Sequence, residues 1–402
     1  MKAGRFFRLS QKDFIKLPPN SEIFMLPQRA PVGYDPSAKK FIKLENYFAI
    51  AVFVPPGYTT TYNSAYSETG KTGILPLFSY AAAWVYQGGF YAACVKVDNR
   101  LCHDARFIDI GAVKKNAAEF KKIFPKNRLV RHLETCALVY NCPNAKNFFL
   151  KRCEAPLPAS PLCNAMCAGC ISYQPKKMIK QTQPRIKFIP TPQEISEIAL
   201  FHLENVKDAV VSFGQGCEGE PLLVGDTIEE SIKLIRKQTK KGIININTNA
   251  SRPDALARLF DAGLDSARVS LNSVREIYYK RYYKPKNYRF SDVLRSVKIA
   301  KKKCGFVSIN YLVMPGFTDS LGEFAALKRF IEKYHIDMIQ WRNLNYDPLG
   351  YFRELKFTAD QSKMLGVKEI IISLGREFPG LLMGYFNPTR SMINKQLHGG
   401  VR

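Results

Sequence analysis

Three cysteines within eight residues are the feature of this sequence best suited to chemistry. Cys163, Cys167 and Cys170 follow the spacing C-x3-C-x2-C. Thiolates this close together can hold one soft metal centre, such as an iron–sulfur cluster. A structural zinc site usually needs four protein ligands, and the five histidines of the chain all lie outside this loop. The spacing therefore favours an iron–sulfur cluster over zinc.

The elements that must position these cysteines alternate between helix and strand from about residue 191 onward. Thr191 and Pro192 give one helix an N-cap and a proline in its first turn, and Gly242, Gly263 and Gly305 follow three others as stop signals. Alternation of this length predicts a parallel sheet with helical crossovers. The predicted helices are 191–206, 227–240, 253–262, 290–303, 320–333 and 359–376, and the predicted strands are 209–215, 243–249, 267–273, 307–314 and 338–344, after a first strand near 153–157.

The predicted strands carry a polar register beside an apolar one. A parallel strand covered by helices on both faces should be continuously aliphatic. Burying so many polar groups without partners would cost about 1–3 kcal/mol each. The pattern predicts a sheet curled into a full or partial barrel around a polar ligand and water, and the alternative is a closed barrel with an internal hydrogen-bond network. The polar register contains Ser212, Gly214, Asn245, Asn247, Asn249, Arg268, Ser270, Asn272, Ser308, Asn310, Gln340 and Arg342.

The cysteine loop and the segments after it resemble the radical S-adenosylmethionine (radical SAM) superfamily. In that family this spacing binds a [4Fe-4S] cluster and leaves one iron for the amino and carboxylate groups of S-adenosylmethionine (SAM). The resemblance implies that Cys163, Cys167 and Cys170 are the cluster ligands. It implies an α/β fold with a partial (β/α)6 TIM-like barrel. It also implies reductive cleavage of SAM to a 5′-deoxyadenosyl radical that abstracts hydrogen from a substrate, with an electron donor of the flavodoxin or ferredoxin type.

Further motifs between about residues 155 and 345 carry the same resemblance. The run from Gly216 to Pro221 looks like the family's Gly-Gly-Glu-Pro segment, with Glu218 in place of its first glycine. Backbone carbonyls there would accept hydrogen bonds from the amino group of SAM. Gly169 departs from the family, which commonly has an aromatic residue before the third cysteine, and adenine contact would pass to the backbone or to Tyr173. The residues implied to bind SAM are Gly216, Glu218, Gly219, Glu220, Pro221, Asn247, Asn249, Ser270, Asn272, Met314 and Gly316.

Cysteines outside the main loop suggest a second metal centre. Cys136, Cys142 and Cys153 are spaced C-x5-C-x10-C just before it. They could hold an auxiliary iron–sulfur cluster, and the alternative is that they are buried structural cysteines. Cys217 lies within the predicted SAM segment, where it is either a radical relay or a small core residue. The candidates for a fourth ligand of the auxiliary cluster are Cys94, Cys102, Cys217 and a substrate atom.

The charge of the chain indicates an anionic partner. Sixty Lys and Arg against 34 Asp and Glu give a net charge of +26 over 402 residues. RNA, a phosphorylated metabolite or an acidic protein would suit that charge, and a solvated basic surface is the alternative. Asn310, Gln340 and Arg342 are the candidate substrate contacts, unless they complete the SAM site or an internal network. The competing function is a non-catalytic, zinc-stabilised, basic RNA-binding protein.

The remaining predictions concern organisation and location. We expect an N-terminal α+β domain at 1–135, a barrel core at 136–350 and a C-terminal helical extension at 351–402. The uncharged stretch 73–95 is long enough to span a bilayer, but prolines and glycines interrupt it. We therefore predict a buried helix, a Gly-Gly turn and a strand over 90–97, with no stable membrane insertion. Charged residues interrupt any signal peptide near the N-terminus, which predicts a cytoplasmic protein.

Overall fold

Antiparallel strand pairs form the N-terminal part of the chain. The computed structural model describes residues 1–70, 72–175, 179–303, 305–358 and 364–399. Sheets β1-β9-β8 and β4-β3-β7 have three strands each, and β2 pairs with β5 and β6 with β10. The strands are β1 Ile15–Lys16, β2 Glu22–Met25, β3 Arg29–Asp35, β4 Lys40–Lys43, β5 Ile50–Phe53, β6 Tyr58–Thr60, β7 Tyr66–Glu68, β8 Ala83–Tyr86, β9 Gly89–Ala92 and β10 Cys94–Lys96.

A parallel sheet forms the centre of the molecule. Within the described residues it has seven strands, arranged in chain order, so each strand pairs with the next after a crossover. This arrangement confirms the predicted α/β class and adds one strand to the six expected. The strands are β11 Glu154–Pro156, β12 Val210–Phe213, β13 Ile243–Thr248, β14 Ser266–Leu271, β15 Phe306–Val313, β16 Met338–Asn343 and β17 Leu382–Gly384.

Side chains show that this sheet curls round its own interior. Asn387, just after β17, donates hydrogen bonds of 2.8 Å to the Glu154 carboxylate on β11 and 3.1 Å to the Ser212 hydroxyl on β12. The same amide accepts a 3.1 Å bond from Gln340 on β16. Strands at opposite edges of a flat sheet could not share one amide in this way. The sheet is therefore a partial barrel, as predicted.

The two registers of the parallel strands face different surroundings. Ile244, Ile309 and Trp341 belong to the apolar register and are fully buried in the main core, under the helices. On the polar register, neighbouring strands place like residues opposite each other: Asn310 is in register with Gln340 on β16 and with Ser270 on β14. Polar side chains therefore line the concave side of the barrel.

The helices between these strands begin and end close to the predicted positions. The Thr191 hydroxyl accepts a 3.2 Å bond from the Glu194 amide, and the Glu194 carboxylate accepts 2.8 Å from the Thr191 amide, which forms a capping box. Gly263, with φ of 113°, ends α6 in the left-handed region that favours glycine. The helices are α1 Ile110–Ile123, α2 Arg128–Leu138, α3 Pro143–Phe149, α4 Pro192–Asn205, α5 Gly225–Gln238, α6 Pro253–Ala262, α7 Glu276–Tyr283, α8 Phe290–Lys302, α9 Leu321–Tyr334, α10 Pro348–Leu355, α11 Val367–Glu377 and α12 Arg390–Gly399.

Part of the helix predicted at 359–376 lies outside the described residues, because 359–363 are not described. Its described part begins later than expected, at Val367.

The helix predicted within the uncharged stretch 73–95 is wrong, because the chain forms strands there. Strands β8 and β9 form an antiparallel hairpin there, and the chain reverses at Gln87 and Gly88, both with positive φ. Trp84 and Tyr86 stack on one face of the hairpin with ring centroids 4.9 Å apart. Alternate residues of a strand share a face, so this pair fits strand rather than helix geometry. In the part of the chain that the structure describes, no helix has the length and apolar character needed to cross a membrane.

Candidate functional site

The cysteine loop follows β11 and is held in place by helix α7. The Met166 amide donates 2.9 Å to the Tyr283 carbonyl, and the Ala168 amide donates 3.0 Å to the Tyr282 carbonyl. Ala165 forms an isolated antiparallel bridge with Pro285. These backbone bonds fix the loop at the carboxyl end of the parallel strands, where barrel enzymes bind their ligands.

The three thiols of the loop are half-buried and interact with one another. Burial, followed by the nearby Glu220 carboxylate, raises the pKa of Cys163 to about 11. Burial raises the pKa of Cys167 well above its usual range, and the neighbouring Cys170 and Cys163 thiols add to this effect. Buried thiolates repel one another, and a metal centre that replaces the thiol protons offsets this repulsion. This donor set of three soft sulfur atoms fits an iron–sulfur cluster.

Arg185 is a neighbour of the thiols that sequence reasoning missed. Its Nη2 lies 3.6 Å from the Cys170 Sγ, and its Nε donates 3.1 Å to the Ser172 hydroxyl. The guanidinium also lies over the Tyr173 ring, 4.9 Å from the centroid. Arg185 belongs to an irregular stretch before α4, so no motif or periodicity marked it. It places a positive charge beside the cysteine loop.

The segment from Gly216 to Pro221 lies directly against the cysteine loop. The Gly219 amide donates 2.6 Å to the Ser160 carbonyl, and the Glu220 amide donates 2.7 Å to the Leu162 carbonyl. A Cβ on Gly219 would lie 1.9 Å from the Leu162 carbonyl oxygen. Only glycine allows this approach, so the backbone of the predicted SAM segment meets the residue before Cys163.

The Glu218 and Glu220 carboxylates are buried and bind neighbouring backbone. Glu220 accepts from the Thr248 hydroxyl and, at 2.8 Å, from the Asn249 amide. Burial raises the pKa of both carboxyls to about 7. Their side chains therefore brace the loops around the site, and backbone groups are left for a ligand. The amides that donate to Glu218 belong to Ala159, Ser160 and Gln215.

Asn247 and Asn249 lie beside these loops. The Asn249 Nδ2 donates 2.8 Å to the Asn164 Oδ1 in the cysteine loop, and the Asn164 Nδ2 donates 2.9 Å to the Ser251 hydroxyl. The Asn247 Nδ2 donates 2.9 Å to the Phe213 carbonyl at the end of β12. The structure thus brings together the three cysteines, the segment 216–221 and both asparagines.

Other predicted SAM contacts have protein partners further along the barrel edge. Ser270 accepts a 3.4 Å bond from the Asn310 amide, and Asn272 donates 3.1 Å to the Tyr351 hydroxyl. Met314 is 2% exposed.

Gly316 lies under the N-terminal residues, since a Cβ on it would lie 2.5 Å from the Ala3 nitrogen. Lys2 donates 2.6 Å to the Asp319 carboxylate beside it. The structure therefore packs the loop that contains Gly316 against the N-terminal residues.

A cavity of about 300 Å³ opens between the barrel interior and the cysteine loop. Arg342 lines it, donates 3.1 Å to the Tyr385 carbonyl and lies 4.1 Å from the Tyr385 ring centroid. Gln340 is fully buried and accepts 2.9 Å from the Arg268 guanidinium, which also lines the cavity. Sequence analysis placed Arg268 on the polar register without assigning it to substrate. The lining also includes Ile171, Gly214, Gly216, Cys142, Glu154 and Thr182.

Two arginines give the cavity a positively charged wall. Burial, and then the charge of Arg342, lowers the pKa of Arg268 to about 9, while the Glu154 charge opposes this shift. Arg268 Nε, in the cavity lining, is buried without a hydrogen-bond partner among the described atoms. Ser308 Oγ and Asn310 Oδ1, on the neighbouring strand β15 and outside the lining, are also buried without one. Buried polar atoms are normally paired, so Arg268 is suited to a polar ligand in the cavity.

The cysteines predicted to hold an auxiliary cluster belong to different groups. Cys136 lies with His132 and Cys217, whereas Cys153 lies with Cys102 and His103. Cys142 precedes α3 and lines the cavity. Cys94 lies on β10, opposite Thr60. The spacing along the chain did not reveal this division.

Comparison with known proteins gives the following matches. Residues 157–327 match the family model of the radical SAM superfamily. A protein named probable GTP 3′,8-cyclase, from Thermococcus kodakarensis, is 36% identical over 115 residues, which cover 27% of this chain and 35% of that protein. The match thus spans about a third of the relative.

Solved structures with a similar chain course include methylornithine synthase (PylB), with a TM-score of 0.41 and 14% identity, covering 69% of this chain and 75% of that one. The FeFe-hydrogenase maturase HydG from Carboxydothermus hydrogenoformans has a TM-score of 0.40 and 14% identity, covering 71% and 73%.

Proposed function

Residues 157–327 form a radical SAM superfamily domain, and on that premise we propose that the chain is an enzyme that starts radical chemistry from SAM at a [4Fe-4S] cluster. Cys163, Cys167 and Cys170 hold the cluster. The backbone of residues 216–221 binds the amino group of SAM, and the strand ends carrying Asn247 and Asn249 lie beside it. When bound, the cluster and SAM supply a 5′-deoxyadenosyl radical that abstracts hydrogen from the substrate.

One observation supports this proposal most strongly. The cysteine loop and the segment 216–221 are in backbone contact at Gly219, at the carboxyl end of the parallel strands. A ligand bound by that backbone would also lie next to the three thiols. Asn249 and Asn164 join the next strand to the same loop with a 2.8 Å bond. Cluster and SAM binding require this combination of soft donors and accessible backbone in one place.

The residues round the site perform the remaining tasks. Arg185 offsets negative charge beside Cys170, since its guanidinium lies 3.6 Å from that sulfur. Glu218 and Glu220 hold the ligand-binding loops in position through buried hydrogen bonds. The barrel wall excludes water from the reacting centre, which protects a radical from side reactions. Reduction needs an electron donor, which we propose to be a flavodoxin or ferredoxin.

We propose that the substrate is a small anion with a phosphate-bearing part. Arg268 and Arg342 face one cavity, and a guanidinium matches the geometry of a phosphate group. A volume of about 300 Å³ suits a single nucleotide-sized molecule better than a folded polymer. The relative from Thermococcus kodakarensis is named for a reaction of GTP. A nucleoside triphosphate is therefore the first substrate to test, and RNA and peptides are the alternatives.

The central test is SAM cleavage by the purified chain. After anaerobic reconstitution with iron and sulfide, we expect a brown protein with about four irons at these cysteines. It should release 5′-deoxyadenosine when dithionite is added. Cys167→Ala should abolish the release, while Cys94→Ala, a buried cysteine on β10, should retain it. A colourless protein, or equal release from both variants, would contradict the proposal.

A further inference from the structure

A second group of metal-ligating side chains lies beside the proposed SAM site. His132 and Cys136 are one turn apart on α2, and Cys217 follows β12. The Cys136 Sγ and His132 Nε2 are 3.5 Å apart, and the ligand atoms of all three residues lie within 4.8 Å of one another. Cys136 is 1% exposed and Cys217 is 3% exposed. Donors from two distant parts of the chain thus converge in a buried place.

The spacing of these donors matches a single tetrahedral ion. Zinc binds thiolate sulfur at about 2.3 Å and imidazole nitrogen at about 2.0–2.1 Å, and a tetrahedral angle between such bonds separates the two atoms by about 3.6 Å. The Cys136–His132 separation of 3.5 Å agrees with this value. A thiol–imidazole hydrogen bond has a similar length but needs only two partners. The convergence of Cys217 on the same pair favours an ion.

Cys142 lies next to this group, although its sulfur is outside the 4.8 Å within which the other three ligand atoms converge. Its amide donates 2.9 Å to the Cys136 carbonyl, so the start of α3 is fixed next to the end of α2. A turn of the Cys142 side chain toward the other three would complete a Cys3His set.

We propose that His132, Cys136, Cys142 and Cys217 bind one zinc ion. Each thiol gives up its proton to solvent on binding, and the imidazole binds in its neutral form. A Cys3His set is a common closed, structural zinc site. The ion would tie α2 and α3 to the loop that continues into Gly219. It would thus fix the backbone proposed above for SAM, although zinc binding itself does not depend on that proposed function.

The test separates this site from the main cysteine loop. In a chain carrying Cys163→Ala, Cys167→Ala and Cys170→Ala, anaerobic purification should give about one zinc per chain and no iron, by elemental analysis. Zinc-edge X-ray absorption should show three sulfur neighbours and one nitrogen. A chain that binds no zinc when zinc is supplied would overturn the proposal. So would about four irons in this variant, because that result assigns the group to an iron–sulfur cluster.

Single variants in the same background identify the ligands. Cys217→Ser and His132→Ala should each lower bound zinc at least about tenfold, and Cys94→Ser should leave it unchanged. Zinc retained by Cys217→Ser would contradict the assignment. If circular dichroism shows that a variant is unfolded, Co²⁺ titration of the parent chain tests for the tetrahedral site in its place. Intense visible bands of tetrahedral thiolate-bound cobalt are expected, and the weak spectrum of six-coordinate cobalt would overturn the proposal. None of these readouts uses SAM cleavage.

Discussion

The Nη2 of Arg185 lies 3.6 Å from the Cys170 sulfur, and the Nε of the same guanidinium donates a hydrogen bond to the Ser172 hydroxyl. A positive charge beside a cluster ligand favours the reduced, more negative state of the cluster. Arg185→Gln should therefore lower the reduction potential on the order of tens of millivolts and slow 5′-deoxyadenosine release. Potentiometric titration followed by electron paramagnetic resonance measures the shift.

Arg185→Lys provides the matched control, because it keeps the charge and should recover part of the potential. An unchanged potential in Arg185→Gln would show that the guanidinium does not act on the cluster.

A substitution at Gly219 tests the contact between the segment 216–221 and the cysteine loop. A Cβ at this position would lie 1.9 Å from the Leu162 carbonyl oxygen, and a backbone atom cannot move aside without shifting the cysteine loop. Gly219→Ala should reduce 5′-deoxyadenosine release at least about tenfold and destabilise the fold by about 1–3 kcal/mol. Gly380→Ala is the control, since nothing lies within 4 Å of its added carbon. Release at the unaltered rate from Gly219→Ala would count against the proposed role of this contact.

The Arg268→Met variant tests the proposal that the substrate is an anion. Arg268→Met should weaken GTP binding about tenfold, which is about 1.4 kcal/mol. Folding stability should change little, because Arg268 is repelled by Arg342 within the barrel. Isothermal titration calorimetry gives the affinity, with the exposed Arg258→Met as the control. Equal GTP affinity in both variants would exclude this wall of the cavity as the anion site.

The lowered pKa of Arg268 predicts that GTP affinity depends on pH. Burial and the neighbouring Arg342 lower its pKa to about 9. The charged form binds an anion, so this contribution is complete well below pH 9 and is lost as the pH rises through about 9. GTP affinity of the wild-type chain should fall over that range, and Arg268→Met should show a smaller decline. A parallel decline in both would assign the loss to other groups.

Cys102 should be an unusually reactive thiol. The neighbouring Cys153 thiol, followed by His103 and Arg100, lowers the pKa of Cys102 well below its usual range. The side chain is exposed, so its thiolate is available to reagents. Iodoacetamide at pH 6 should label Cys102 first, as mass spectrometry of peptides would show.

Cys153→Ala removes the neighbouring thiol and should slow this labelling, because the pKa of Cys102 rises. Cys94 serves as the internal reference, since burial raises its pKa to about 12. Faster labelling of Cys94 than of Cys102 would refute the prediction.

The regular part of the fold was predictable because local signals agree there. Helix α6 occupies the predicted residues, and the capping box at Thr191 marked the start of α4. The alternation of polar and apolar residues along the strands indicated a polar barrel interior before any contact was known. Neighbouring strands then place Asn310 beside Gln340. The cap and the alternation depend on residues close in sequence, and the pairing of Asn310 with Gln340 follows once the two strands lie side by side.

Features that depend on distant residues were not predictable. Cys136 pairs with Cys217 across a large part of the chain, and the spacing C-x5-C-x10-C suggested Cys153 in its place. Arg185 reaches Cys170 from an irregular stretch without periodicity.

Helix α1 was missed although it carries a local signal. Its N-cap is Asp109, whose carboxylate accepts a 3.1 Å hydrogen bond from the Ala112 amide. That helix could have been found from the sequence.

The seam between the first and last strands of the barrel is closed by side chains. Asn387 spans it with side-chain bonds to Glu154 and Ser212, whereas every neighbouring pair of strands from β11 to β17 shares a backbone ladder. Just beyond Asn387, Arg390 donates to the Gly242 carbonyl and to the Asp265 carboxylate, and Ser391 donates to Asp208. The circumference of the barrel is therefore set at this line by side-chain hydrogen bonds and an ion pair, where a closed barrel would have a backbone ladder.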